Sequence, residues 1–281
     1  MTPSIIDCHQ HLIYSHLSPY SWSKGFAPVE GRSFTCEDYL EQIEGTGITQ
    51  TVFMETTADD LNFEHNLVRE LAARPGSIIR GLIVNAHPED SDFDAWIDEI
   101  NKPGLSGIRR ICHTAPDDLS TQPRFIENIR KLGPLGLTFD LCFFARQLPL
   151  ALKLVKACPG VQFILDHCGV PDIAANALDP WRADITALAD EPNVACKISG
   201  VLAYCAPGDD TAEAVRPYVE HSIEAFGWDR VVWGGDWPVC NVNTTLRKWV
   251  EVSRELVAAC SCDEQERLFH RNAARIYNLK D

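Results

Sequence analysis

The feature that most constrains the fold is an alternation of short apolar runs with helix-like segments along the whole chain. Eight runs of strand length are each followed by helical periodicity or a helix-capping signal, at a loose spacing of about thirty residues. This pattern predicts parallel strands joined by helical crossovers, and eight such units predict a closed (β/α)8 barrel of the TIM type. No stretch has the composition of a linker, so we expect residues 1–281 to form a single domain.

The individual elements follow from the positions of the apolar runs and of the residues that end them. We predict strands from residue 5 and over 49–55, 77–84, 105–112, 137–143, 161–166, 193–198 and 231–234, and helices over 63–73, 93–101, 124–132, 148–157, 212–226 and 244–259. Thr35 to Asp38 form a capping box, Asp179-Pro180 is typical of an N-cap followed by the first helical residue, and Ser261 caps a last helix. An open doubly wound sheet is the alternative fold, but a phosphate-binding glycine fingerprint is absent after the first strand.

The charge of the chain argues against two classes of partner. With 40 acidic and 25 basic residues the formal net charge is -15, and Lys and Arg do not gather into a basic patch. Nucleic acids and anionic membranes need such a patch, so we expect neither as a partner. The same charge mildly favours a neutral small-molecule substrate, whereas the sequence leaves the oligomeric state open.

The cysteines and the first residues of the chain indicate in which cellular compartment the protein is expected. The 11 cysteines are scattered and several lie inside predicted strands or helices, as Cys112 and Cys142 do, so we interpret them as reduced thiols. Residues 1–4 lack a basic segment followed by an apolar one, and no apolar run approaches the length of a membrane span. These features predict a cytoplasmic protein.

Three of the predicted strands end in residues that could take part in catalysis. His9 and His11 are two residues apart, so in a strand both side chains would project from one face while Cys8 and Gln10 face the other way. His167 follows the strand at 161–166, and Asp236 follows the strand at 231–234 after two glycines. Considered alone, the histidine pair could simply be a polar strand end, and the Gly-Asp pair could be a turn. In a barrel, the side chains of His9, His11, His167 and Asp236 would meet at one mouth.

The motifs at these strand ends resemble those of the amidohydrolase superfamily. The sequence carries His9-Gln10-His11, LDHCG at 165–169 and VVWGGDWP at 231–238, in that order, with further similarity at FDL (139–141), RQLP (146–149), KISG (197–200) and NAARIY (272–277). The similarity runs from residue 5 to about residue 279 and is greater to the amidohydrolase-2 branch of lactone hydrolases. That branch includes sugar-acid lactonases of the fuconolactone and rhamnonolactone type and pyrone-dicarboxylate lactonases.

The resemblance implies catalytic and metal-binding residues. Asp236 would be the general base that deprotonates water, with His167 and Arg109 as further catalytic residues. His9, His11, His167 and Asp236 offer nitrogen and oxygen ligands for one divalent ion, with zinc expected. Some lactonases of this branch work without a metal and use the same histidines as hydrogen-bond donors, so that mechanism stays open. A binuclear centre is disfavoured. It needs a bridging lysine or glutamate at the end of the fourth strand, which residues 109–113 lack, and a further histidine at the end of the fifth strand, which residues 142–144 lack.

Other residues are candidates for binding the substrate. We expect Trp22, from the long loop after the first strand, Trp237 and Lys197 to contact it, and Arg109 to bind its carbonyl or carboxylate group. Arg109 pairing with a buried carboxylate such as Asp140 is the structural alternative. Secondary candidates have other roles. Glu55 would be an extra metal ligand or would accept a hydrogen bond from a substrate hydroxyl, and His113 would be a second proton carrier. Tyr14, Tyr204 and Gln147 would form hydrogen bonds to a sugar ring.

The predicted function is hydrolysis of a lactone ring, most simply that of a sugar-acid lactone. A metal-dependent decarboxylase or an amide hydrolase on the same barrel is the first alternative, since both reactions occur elsewhere in the superfamily. The second is a non-catalytic binding module, against which the retained His9, His11, His167 and Asp236 argue.

Overall fold

Eight parallel strands form one sheet in sequence order in the computed structural model, which describes residues 3–280. The strands are β1 Ile5–Gln10, β2 Ile48–Met54, β3 Ile79–Asn85, β4 Leu105–Ile111, β5 Thr138–Cys142, β6 Gln162–Leu165, β7 Val194–Ser199 and β8 Val231–Gly234. The helices are α1 Cys36–Ile43, α2 Phe63–Ala72, α3 Phe93–Ile100, α4 Pro123–Arg130, α5 Leu132–Leu135, α6 Leu148–Ala157, α7 Trp181–Ala189, α8 Ala212–Phe226, α9 Leu246–Leu256, α10 Cys262–Glu266 and α11 Asn272–Ile276.

The sheet closes where the end of β8 meets the end of β1. The amide of His11 donates to the carbonyl of Trp237 at 2.9 Å, and the amide of Asp236 donates to the carbonyl of His9 at 2.7 Å. The (β/α)8 barrel predicted from the alternation of elements is therefore confirmed. These two hydrogen bonds also place the ends of the first and last strands side by side, which is where the functional residues lie.

Two separate apolar cores stabilise the barrel. The larger one fills the space between the strands and the surrounding helices, as expected when the burial of apolar surface drives packing. The smaller one contains residues from several strands, among them Ile6, Val52, Ile164 and Val232, together with Ile276 and Tyr277 of the C-terminal segment. It lies in the barrel interior, so the C-terminal segment contributes to the same core as the strands.

Most predicted boundaries fall within two residues of the observed ones, and the capping box is present. The Thr35 hydroxyl accepts a hydrogen bond from the amide of Asp38, whose carboxylate accepts one from the amide of Thr35. One prediction was wrong: α7 begins at Trp181 with Pro180 at the N-cap, so Asp179 lies outside the helix.

A second correction concerns Cys8, which we expected to face away from the histidines. Its side chain belongs to the inner core, with Ile6. The register between β1 and β2 shifts between Asp7 and Gln10, where β1 contains an extra residue. Such a bulge interrupts the strict alternation of side chains, and this is why Cys8 and His9 both face the barrel interior.

Among residues 3–280 there is no helix with both the length and the apolar character that crossing a membrane requires.

Candidate active site

A cavity of about 380 Å³ opens at the carboxyl ends of the strands. Its polar lining includes His9, His11, Arg109, His167, Tyr204 and Asp236, and its apolar wall includes Trp22, Phe26, Ile111 and Val239. The structure thus brings together residues from β1, β4, β6, β7 and β8 or the segments that follow them. This is the face of a (β/α)8 barrel at which active sites form.

Asp236 is the central charge of the cavity. Its Oδ1 atom lies 3.3 Å from His11 Nε2 and 3.7 Å from His9 Nε2, and its Oδ2 atom lies 4.0 Å from His167 Nδ1. The carboxylate is almost completely buried, and Oδ2 has no hydrogen-bond partner among the described residues. A buried polar atom without a partner is costly, so this oxygen is poised to interact with a bound group.

The backbone around Asp236 and His167 leaves the regular strand conformation. Asp236 has φ 58° and His167 has φ 53°, both in the left-handed region that side chains other than glycine rarely adopt. Gly235 allows close approach, since its amide donates to Asp7 Oδ1 at 2.7 Å and an added Cβ would lie 2.5 Å from Asp7 Oδ2. Backbone strain of this kind is concentrated at functional sites.

Hydrogen bonds to the neighbouring strands β2 and β7 fix the rings of His11 and His167. His11 Nδ1 lies 2.8 Å from the carbonyl oxygen of Met54, to which it donates, so Nε2 is the nitrogen that faces the Asp236 carboxylate. His167 Nδ1 lies 2.9 Å from Ser199 Oγ. Burial lowers the pKa of His167 and the pKa of His9 below their ordinary values, which favours neutral rings that can act as ligands.

The ligand atoms could hold a divalent cation. Donor atoms of His9, His11 and Asp236 lie within 4.8 Å of one another, and a second group of the same size is formed by His9, Asp166 and His167. Two imidazoles and a carboxylate suit zinc, and a cation would interact favourably with both His11 Nε2 and the Asp236 carboxylate. The guanidinium of Arg109 lies 3.3 Å from His9 Nε2 and competes for that nitrogen.

Below the cavity, Lys197 is the centre of a buried ion network. Its Nζ atom donates to Asp140 at 2.5 Å and to Asp166 at 2.8 Å, and it lies 3.3 Å from His9 Nδ1. Burial by itself would lower the pKa of Lys197, but the two carboxylates outweigh it and raise the pKa. Because this ammonium is fully buried and does not line the cavity, we correct the prediction that Lys197 contacts the substrate.

Arg109 lines the cavity but is held by two carboxylates. Its Nε donates to Glu55 Oε1 at 2.6 Å and its Nη1 to Asp166 Oδ2 at 3.2 Å. The buried partner suggested from the sequence, Asp140, instead binds Lys197 and accepts a hydrogen bond from Tyr277 at 2.9 Å. Glu55 is therefore paired, which leaves it unsuited to the role of extra metal ligand.

The aromatic candidates separate into two groups. Trp22 lines the cavity with Phe26, as the loop composition suggested. Trp237 does not: it is 2% exposed, and its ring packs against Phe34 and Tyr39, each at 5.5 Å between ring centres. The prediction that Trp237 contacts the substrate therefore needs correction, because its side chain points into the core between the barrel and α1.

His113 is partly buried in the cavity wall rather than solvated in a loop. Its ring stacks on Phe144 with 4.6 Å between ring centres, and its Nδ1 lies 3.5 Å from Cys142 Sγ. Burial, followed in size by the charge of Arg109, lowers the pKa of His113 to about 4. The imidazole is therefore neutral at pH 7, which makes it a hydrogen-bonding group rather than an acid.

Sequence reasoning missed Asp166 as a functional residue. The aspartate was visible in the LDHCG motif, and it shares the inner face of β6 with Ile164 by the two-residue repeat. It contacts Arg109 and Lys197, and nearby positive charges hold its pKa well below the usual range although burial opposes them. Because Asp166 lies two residues after the apolar Ile164, the two-residue repeat of a strand could have predicted that both side chains face the barrel interior.

A buried carboxylate faced by histidines lies at the mouth of a (β/α)8 barrel, and comparison with known proteins gives the class of the protein. A family profile described as "Amidohydrolase" matches residues 6–279. The chain belongs to the amidohydrolase family and is a hydrolase.

Two relatives and one solved structure are similar over nearly the whole chain. An L-fucono-1,5-lactonase from Burkholderia multivorans is 30% identical in an alignment of 299 positions, which covers 98% of this chain and 96% of that protein. The uncharacterized protein y4mH from Sinorhizobium fredii is 28% identical in an alignment of 296 positions, which covers 98% of this chain and 99% of that protein. A crystal structure of an amidohydrolase from Burkholderia multivorans with bound zinc has a TM-score of 0.89 at 22% identity, covering 99% of this chain and 100% of that one.

Proposed function

We propose that this hydrolase opens the ring of a neutral sugar-acid lactone by adding water to the ring carbonyl. The observation that carries the proposal is the position of the Asp236 carboxylate, which is buried in an open cavity and faced by the imidazoles of His9, His11 and His167. The similarity to an L-fucono-1,5-lactonase supports the choice of a sugar-acid lactone over other esters.

The residues of the cavity supply most of what ester hydrolysis requires. Asp236 accepts the proton of the attacking water, since its free Oδ2 can receive a hydrogen bond from it. Arg109, whose guanidinium lines the cavity, is the hydrogen-bond donor that we assign to the carbonyl oxygen. A divalent ion held by His9, His11 and Asp236 would lower the pKa of water and polarise the carbonyl; we propose zinc.

The charge balance of the cavity favours a substrate without a carboxylate. Arg109 is neutralised by Glu55 and Asp166, and Lys197 is neutralised by Asp140 and Asp166 beneath the cavity floor. An anionic lactone would have to displace one of these buried pairs, which is costly. The apolar wall, formed by Trp22, Phe26, Ile111 and Val239, can pack against the carbon face of a sugar ring.

The test is a lactone panel with a matched pair of variants. Proton release is measured with a pH indicator on fucono-, rhamnono- and arabinono-lactones and on a pyrone dicarboxylate, each corrected for spontaneous hydrolysis. We expect turnover of one or more neutral lactones, at least about 100-fold lower kcat for Asp236→Asn, and unchanged kcat for Asp94→Asn on the surface of α3. Absence of turnover across the panel, or full activity of Asp236→Asn, would contradict the proposal.

A further inference from the structure

The lining of the cavity contains a hydroxyl donor, on Tyr204, that the protein itself does not use. His9, His11, His167 and Asp236 face one another, and Arg109 is paired. The Tyr204 hydroxyl, by contrast, makes no hydrogen bond to any residue between 3 and 280, although its side chain lines the cavity.

Tyr204 lies close to the reacting groups. It ends a short 3-10 turn, Val201–Tyr204, that follows β7, and its ring meets the His167 ring edge-on with 6.1 Å between centres. A tyrosine phenol, with an ordinary pKa of about 10, keeps its proton at neutral pH, so Tyr204 is a proton donor that lines the cavity.

Lactone hydrolysis needs such a donor because breaking the ring produces an alkoxide. We propose that Tyr204 donates its proton to the ring oxygen as that oxygen leaves; this inference rests on the proposed lactonase function. Asp236 takes the proton of the attacking water, so the base and the acid would be different residues, both within contact of His167.

The step balances in atoms and charge. The water oxygen forms a bond to the carbonyl carbon while Asp236 takes one proton, and the tetrahedral intermediate then collapses. The bond between the carbonyl carbon and the ring oxygen breaks, its electron pair stays on the ring oxygen, and the Tyr204 proton moves there. Tyr204 regains a proton from Asp236, and the new carboxylic acid ionises by releasing its proton to solvent.

The experiment compares Tyr204→Phe with wild type on a lactone and on its thiolactone analogue. The thiolactone has nearly the same shape but expels a thiolate, which needs no acid to leave. We expect kcat of Tyr204→Phe to fall about 100-fold on the lactone and less than about threefold on the thiolactone. The control is Tyr218→Phe, which removes a buried unpaired hydroxyl outside the cavity and should leave both rates unchanged.

The outcomes separate this proposal from the function on which it rests. An equal loss on both substrates would assign Tyr204 a structural or binding role and overturn the proposal, as would full lactone activity of Tyr204→Phe. Wild-type protein that turns over neither compound would overturn the lactonase function itself, and the role of Tyr204 with it.

Discussion

The carboxylate of Asp236 occupies the space that a side chain at Gly200 would need. A Cβ atom added at Gly200 would lie 2.7 Å from Asp236 Cβ and closer still to Oδ2. Gly200 also has φ 58°, a conformation that favours glycine. The glycine that follows β7 therefore determines where the carboxylate after β8 can lie.

Gly200→Ala should displace Asp236 and reduce kcat at least about 10-fold, because a shift of about 1 Å in a catalytic group is costly to the rate. The matched control is Gly208→Ala, which has φ 83° but open space around the added methyl group. Steady-state kinetics and thermal melting of both variants provide the test. If the two variants lose the same activity, backbone strain rather than the contact with Asp236 is responsible.

Replacement of Arg109 should destabilise the fold strongly. Arg109→Met leaves Glu55 buried without a cationic partner and leaves Asp166 with Lys197 alone, so we expect the free energy of unfolding to fall by about 3 to 5 kcal/mol. Arg216→Met is the control, since Arg216 pairs with Glu220 on the surface, where the two side chains are 36% and 59% exposed. That variant should lose about 1 kcal/mol. Urea unfolding measures both, and similar losses would contradict the prediction.

Removal of one candidate ligand should abolish metal binding. His11→Ala, measured by elemental analysis after zinc loading and desalting, should retain well below half the zinc of wild type, because two of the three clustered donors cannot hold the ion tightly. His16→Ala removes an exposed histidine instead and should leave the zinc content unchanged. Wild-type protein that is fully active after chelation and contains no metal would favour the metal-free mechanism.

The buried imidazole of His113 should make stability depend on pH. Its pKa is lowered from 6.5 to about 4 in the folded protein, so the unfolded chain binds the proton more readily between these values. Stability from this group is present above pH 6.5 and is lost as the pH falls. Between pH 7 and pH 5, the free energy of unfolding of His113→Gln should improve relative to wild type by about 2 kcal/mol. A difference that does not change with pH would contradict this prediction.

The sequence predicted the strands and helices more reliably than the ion-pair partners of the buried charged residues. Periodicity and capping report local preferences, so the strand ends that carry His9, His11, His167 and Asp236 could be located. The partners of Arg109 and Lys197 depend on which side chains meet inside the closed barrel, and the register shift in β1 places His9 on the same inner face as Cys8. Trp237 was misplaced for a similar reason, since its contacts come from Phe34 and α1.

The pairing of His11 with the segment after β8 has a consequence for biosynthesis. Asp236 is within reach of His9 and His11 only when the last strand has docked against the first, so a growing chain that lacks its final fifth lacks the proposed general base and one of the candidate metal ligands. Enzyme activity should therefore appear in a single step at the end of synthesis, which makes turnover a direct reporter of barrel completion.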